Sequence, residues 1–169
     1  LRGPASAPSE RMFQPKLEAR ILQELAPTRE ERVLEIGAGS GYMAALLGSR
    51  AGSVVTVEIN PELASMAEAN LKRAGIGNVS VDRGDGAQGW TRHAPYDVIV
   101  VSGSLPVLPK SLVDQVAPGG RLFAIVGDAP VMAARLVRVL SAGSVETVDL
   151  FETNVPPLLN AVQPARFTF

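Results

Sequence analysis

The segment Val33-Leu34-Glu35-Ile36-Gly37-Ala38-Gly39-Ser40-Gly41-Tyr42 limits what this chain can fold into more than any other. A β-branched apolar run enters a Gly-x-Gly-x-Gly turn, and an amphipathic stretch from Tyr42 to Leu47 leaves it. Glycines let the backbone turn sharply and let a ligand approach the peptide planes closely. N–H groups at the start of the following helix favour an anionic group such as a carboxylate or phosphate. A tight turn with no ligand would use the same residues. The spacing departs from the dinucleotide fingerprint Gly-x-Gly-x-x-Gly, whose third glycine would fall at Tyr42. No Gly-Lys-Ser/Thr follows, which excludes a P-loop.

The same alternation runs along the chain. Leu17, Ile21, Leu22 and Leu25 recur at helical spacing behind Pro15, a good first-turn residue. Ser53 to Val57 reads as a second strand. Asn60, Pro61 and Glu62 supply an N-cap, a first-turn proline and an early acid for a helix running to about Ala74. Val79 to Val81 is a third strand. Asp97 to Val101 is a fourth, and its Val-Ile-Val-Val run predicts burial on both faces, as in a parallel sheet. Leu112 to Val116 reads as helical, Pro118-Gly119-Gly120 as a tight turn, and Leu122 to Val126 as a fifth strand. Ala133 to Leu140 and Val145 to Phe151 lack a helical signal between them and can pair antiparallel at the sheet edge. Alternation of this kind predicts a parallel sheet with helices on both faces. Residues 1–14, with Pro4 and Pro8 among small side chains, read as an extended or mobile lead-in, and 15–169 as a single domain. Residues 153–166 are proline-rich and should wrap the surface before a last short strand, Phe167 to Phe169.

Composition narrows the chemistry. There are no cysteines, which removes disulfides, thiolate metal sites and cysteine nucleophiles together. A single histidine, His93, cannot build a His-rich metal cluster, and no metal is expected. The net charge of −1 gives no whole-chain support for nucleic-acid or anionic-lipid binding. No apolar run approaches the roughly 20 residues of a membrane span, and no signal peptide is visible, so the cytoplasm is the expected location.

Two acids stand at later strand ends. Glu58 closes the second strand, where a carboxylate can accept charge-assisted hydrogen bonds from ribose hydroxyls. An exposed strand-end acid would look the same. Asp85 lies in Gly84-Asp85-Gly86 after the third strand, where flanking glycines expose its carboxylate and the neighbouring N–H groups in a way that suits an adenine amino group. Gly-Asp-Gly is also a common turn. Features at three successive strand ends of an open parallel sheet border one crevice.

The segments VLEIGAGSGY, VTVEINPELA, RGDGAQGW, HAPYDVIVV and LVDQVAPGGRLFAIVG make the sequence similar to the protein-L-isoaspartate O-methyltransferase family, a class I S-adenosylmethionine-dependent group. The resemblance implies a doubly wound α/β fold, with a mostly parallel seven-stranded Rossmann-like sheet and an antiparallel C-terminal edge. It assigns Gly37, Gly39 and Gly41 to the methionine end of the cofactor S-adenosyl-L-methionine, Glu58 to the ribose, and Asp85 with Gly86 to the adenine. Glu35 would brace the loop or the cofactor's amino group; a structural acid bonded to the turn is the alternative. The implied reaction is methylation of a carboxylate in an isoaspartyl protein or peptide, or in a small carboxylate, as in protein repair.

Two departures fall on the acceptor side. Family members carry a helical N-terminal segment that this chain mostly lacks. They also place a Ser ahead of the pair Gln14-Pro15, within the stretch Arg11 to Pro15, where this sequence has Phe13. Ser102 and Ser104, after the fourth strand, are the substrate-side candidates; an ordinary small-residue turn is the other reading. No motif pairs His93 with an acid. Trp90 reads as core packing rather than an adenine platform. The other functional readings are a methyltransferase for a different small molecule and a non-catalytic binder of the cofactor. An NAD-dependent oxidoreductase is disfavoured by Tyr42.

Overall fold

A computed structural model describes residues 13–141 and 143–164. Chain order is α1 (Pro15–Leu25), β1 (Arg32–Ile36), α2 (Tyr42–Gly48), β2 (Ser53–Glu58), α3 (Pro61–Arg73) and β3 (Val79–Arg83). A 3-10 turn (Thr91–His93) leads to β4 (Tyr96–Leu105), α4 (Lys110–Val113), β5 (Val116–Asp128), β6 (Val131–Ser141) and β7 (Ser144–Thr153). The strands form one seven-stranded sheet in the order β3-β2-β1-β4-β5-β6-β7. The first five run parallel, and β6 and β7 complete the edge antiparallel.

Local signals account for the helix starts. The Asn60 side chain accepts from the N–H groups of Glu62 and Leu63, at 2.9 and 3.4 Å, and Pro61 fills the first position of α3. Pro15 does the same for α1. In β4, Val98 and Val100 face one core cluster while Ile99 and Val101 face the other, and all four are fully buried. Each such side chain contributes about 1.5–3 kcal/mol relative to exposure.

The two faces of the sheet are covered unequally. On one, Ile21 and Leu25 of α1 and Met43 and Leu47 of α2 pack on Val33, Val54 and Phe123. Helix α3 packs beside α2 on β2 and β3. On the other, the cover over Leu34, Ile99 and Leu122 is Leu112 of the one-turn α4, together with Val116, Trp90 and Ala161. Helices lie on both faces, but the second face is roofed by the short α4, the 3-10 turn region and the returning C-terminal segment.

Three boundaries differ from the sequence reading. Strand β4 does not stop at Val101 but continues to Leu105, because Ser104 pairs with the returning chain: its N–H donates to Pro156 O and its O accepts from Leu158 N–H. The Leu112 to Val116 helix is instead α4, Lys110–Val113, because Val116 already pairs with Tyr96 in the sheet. Pro118-Gly119-Gly120 is not a separate turn but a kink inside β5, where Gly119 takes φ +83° and the register against β4 shifts. The proposed strand Phe167 to Phe169 and residues 1–12 of the lead-in lie outside the described residues. Among the described residues no helix is long and apolar enough to cross a membrane.

Candidate active site

The carboxyl ends of the parallel strands open onto one cavity of about 480 Å³. Across the sheet its wall runs from Asp85 and Gly86 beyond β3, to Glu58 at the end of β2, to Gly37 and Gly39 beyond β1, to Ser102 and Gly103 in β4. Phe13 and Glu18 of the α1 region and Pro156 to Leu159 of the returning segment close the far side. Glu58 and Asp85, far apart in sequence, therefore face the same space.

Glu58 is nearly buried at 6% exposure and fastens the site together. Its Oε2 accepts from Gly39 N–H and its Oε1 from Asn60 N–H, both at 2.9 Å. One carboxylate thus ties the glycine turn to the cap of α3, and each oxygen keeps acceptor capacity for a ligand. Gly37 has φ +94°, and a Cβ there would stand 3.3 Å from Ser102 O and 3.4 Å from the Leu158 side chain. Beside Gly39, at φ +51°, the same construction meets nothing within 4 Å, so the turn offers open backbone to the cavity.

Gly41 does not line the cavity. At φ +83°, a Cβ on it would stand 3.2 Å from Ala67 of α3, so the glycine leaves room for that helix to pack closely. The turn also spends its own donors: Gly37 and Ala38 N–H bond to Val57 O, Gly39 N–H to Glu58, and Gly41 N–H to Ala38 O. It presents shape to a ligand rather than the free N–H groups expected from the sequence.

Asp85 is exposed; its Oδ1 accepts from Ala87 N–H and its Oδ2 from the Asn160 side chain, both at 2.9 Å. Gly86 is buried, and a Cβ on it would press to 2.9 Å against Ile36. Ser102 donates to Glu35 Oε1 at 2.8 Å, on the cavity wall. Ser104 points elsewhere: it is 1% exposed, donates to Val155 O at 3.0 Å and does not line the cavity. The Trp90 ring fills the space beside Gly84, its indole N–H donates to Asp82 at 2.7 Å, and it too stays out of the cavity wall. His93 is exposed, and its carbonyl accepts from Arg32.

Glu35 is fully buried and accepts from Thr56 Oγ at 2.7 Å as well as from Ser102. Burial pushes its carboxyl up to about 7; the two hydroxyls pull it down, while Glu18 and Glu58 add to the rise. The folded protein therefore holds this proton more tightly than the unfolded chain, whose value is near 4.5. Its stabilising contribution is full below pH 4.5 and is lost as the pH rises to about 7. Glu35→Gln, which cannot ionise, is expected to remove that decline, measured as urea midpoints of wild type and variant at both ends of the window. Equal slopes with pH would refute it.

Sequence reasoning missed Glu18 and the returning segment. Glu18 had a signal: it stands three residues before Ile21 on the face of α1 assigned to the core, a charge among apolar positions. The returning segment had none, since Leu158 and Asn160 reach the cavity only through contacts with Ser104 and Asp85.

A family model for protein-L-isoaspartate(D-aspartate) O-methyltransferase matches residues 8–160. A protein-L-isoaspartate O-methyltransferase of Methanoculleus marisnigri is 45% identical over 147 residues, covering 86% of this chain and 66% of that protein. One from Rhodopseudomonas palustris is 48% identical over 148 residues, covering 86% and 60%. The chain thus spans less than two thirds of the length of these relatives. Among solved structures, a protein-L-isoaspartate O-methyltransferase superposes with a TM-score of 0.79 at 28% identity, over 93% of this chain and 52% of that one. A putative one from Plasmodium falciparum, in complex with S-adenosyl-L-homocysteine, gives 0.73 at 20% identity, over 91% and 78%, and shares the fold.

Proposed function

The chain belongs to the protein-L-isoaspartate(D-aspartate) O-methyltransferase family, and from that premise we propose that it transfers a methyl group from S-adenosylmethionine to the side-chain carboxylate of an isoaspartyl residue in a protein or peptide. The observation that carries this reading is the convergence of Asp85, Glu58, the Gly37–Gly39 turn and Glu35 on one cavity, in that order across the sheet.

The residues present fit such a cofactor. Four carboxyl groups, Glu18, Glu35, Glu58 and Asp85, line the cavity, and no Lys, Arg or His does so among the described residues. A wall of carboxyl groups with no cation among them favours a ligand carrying ammonium and sulfonium charges, and Glu18, whose burial favours the neutral form, adds little to that field. Asp85 can accept from an adenine amino group and Glu58 from ribose hydroxyls. The open backbone at Gly39 admits the methionine part, and Glu35 stands at the β1 end to meet an ammonium. When bound, the sulfonium supplies an electrophilic methyl.

The protein's own part is then positional. A carboxylate acceptor, with an ordinary pKa near 4, is already ionised at neutral pH, so no general base is required. This agrees with a cavity wall that holds no histidine. Holding the acceptor oxygen in line with the methyl can supply about 7–11 kcal/mol of the barrier. Phe13 and the Pro156–Leu159 segment border the cavity opposite the strand ends.

The test uses radiolabelled methyl donor with an isoaspartyl peptide and its normal aspartyl counterpart. Base-labile label on the isoaspartyl peptide alone is the expected result. Tight binding of S-adenosylhomocysteine with no transfer to either peptide would reject the isoaspartyl acceptor. It would favour a different small acceptor, the reading that Phe13 in the cavity wall supports.

A further inference from the structure

The cavity holds one carboxyl group to which cofactor recognition gives no task. Glu18 lies at the start of α1, is 3% exposed, and lines the cavity with Phe13. Its Oε2 is buried and has no hydrogen-bond partner among the described residues. A buried carboxyl oxygen with no partner among the described residues costs free energy in either protonation state, so the described packing supplies no reason to keep it there. By contrast Glu35, Glu58, Asp85 and Ser102, on the same wall, already hold partners within the protein.

Its position is at the opposite end from the nucleoside acids. Asp85 and Glu58 stand beyond β3 and β2, whereas Glu18 comes from α1 and is close enough to Glu35 of β1 to raise that group's pKa. The titratable groups that share its cavity are Glu35, Glu58, Asp85 and Tyr42, and on its own helix Lys16 and Arg20 are exposed, with Arg20 paired to Glu24. No cation therefore faces Glu18 among the described residues lining the cavity. Burial raises its carboxyl from the ordinary value, a shift toward the neutral form.

Resting on the reading of this protein as a carboxyl methyltransferase, we propose that the protonated carboxyl of Glu18 donates a hydrogen bond to the acceptor carboxylate and holds one of its oxygens while the other receives the methyl. An ionised Glu18 would repel the acceptor, whereas the neutral form meets it with a short charge-assisted O–H···O bond. In the transfer the methyl–sulfur bond breaks and a carbon–oxygen bond forms. Glu18 keeps its proton throughout. The ester product is neutral and a weaker acceptor, so the contact loosens once the reaction is complete.

The test compares wild type with Glu18→Leu and Glu18→Gln. Four quantities are read: affinity for an isoaspartyl peptide in the presence of saturating S-adenosylhomocysteine, affinity for S-adenosylhomocysteine itself, kcat/KM, and the thermal midpoint of the ligand-free protein. Glu18→Leu is expected to lower peptide affinity and kcat/KM at least about tenfold, the size of one charged hydrogen bond. It should at the same time raise the thermal midpoint and leave S-adenosylhomocysteine affinity within about twofold. Glu18→Gln keeps a donor and should recover most of the loss. Wild-type peptide affinity should fall as the pH rises, and Glu18→Gln should flatten that fall.

Peptide affinity unchanged in Glu18→Leu, or an equal pH slope in wild type and Glu18→Gln, overturns the proposal. A tenfold loss of S-adenosylhomocysteine affinity overturns it too, by moving Glu18 to the cofactor. Wild-type protein that binds S-adenosylhomocysteine but never methylates the peptide overturns the acceptor reading itself, and this inference with it.

Discussion

Glu58→Ala is expected to weaken S-adenosylhomocysteine binding by at least about 100-fold, from two lost charge-assisted hydrogen bonds of about 1.5–3 kcal/mol each. The carboxylate faces the cavity while bonded to Gly39 N–H and Asn60 N–H, so its removal takes away the proposed ribose acceptor and releases the glycine turn from α3 together. Glu58→Gln retains one acceptor oxygen, and its amide would set a donor against one of those N–H groups. It should therefore fall between wild type and Glu58→Ala. Calorimetric titration reads both variants. An affinity for Glu58→Ala within about threefold of wild type would remove Glu58 from the ribose, since a charged hydrogen bond is worth more than that.

Arg121→Ala carries the largest expected loss of stability. From β5 the guanidinium donates to both oxygens of Glu31, at 2.6 and 3.0 Å, and through Nε to Leu25 O at 2.7 Å. It reaches Ala26 O as well, at 3.1 Å, where the chain leaves α1 in a left-handed conformation. The partners are mostly shielded, with side-chain exposures of 16% and 21%. One cation thus satisfies the carbonyl end of α1, complements its dipole and fixes the helix to the sheet. Truncation leaves Glu31 and the carbonyls uncompensated, at a cost of about 3 kcal/mol. For a chain of this size that is a fall of roughly 6–12 °C in Tm.

The pH dependence gives the loss a signature. Arg121 holds the Glu31 carboxyl below its ordinary value, so this stabilisation is present above about pH 4.5 and is lost as the pH falls through the depressed folded value. The gap in Tm between wild type and Arg121→Ala should narrow in acid. A gap that is small at neutral pH, or unchanged in acid, would contradict this account.

What could be read from the sequence was local or periodic. The cap at Asn60, the doubly buried run in β4 and the strand–turn–helix at Gly37 follow from neighbours a few residues apart, and the structure has all three. The acids at Glu58 and Asp85 were legible because parallel strands send their carboxyl ends to one edge, so order in sequence became order in space. The length of β4 was not legible, since Ser104 is held in the sheet by Ile125 of β5 after a register shift and by the returning chain some fifty positions later. The packing role of Gly41 was hidden for the same reason. Its spacing matches a ligand loop, but its environment is Ala67 on another helix. Glu18 shows the opposite case: its conflict with the apolar periodicity of α1 was visible, and conflicts of that kind mark sites where folding and function diverge.

The segment after β7 crosses back over the sheet, bonds to Ser104 and ends with Asn160 on Asp85. Together with Phe13 and Glu18 it supplies a wall that the strands alone do not. Assembly of the pocket therefore waits on the late part of the chain. A ribosome that has released α1 and the parallel strands has made the floor of the site and the side that carries Phe13 and Glu18, and the opposite side forms only once the segment after β7 has emerged and docked.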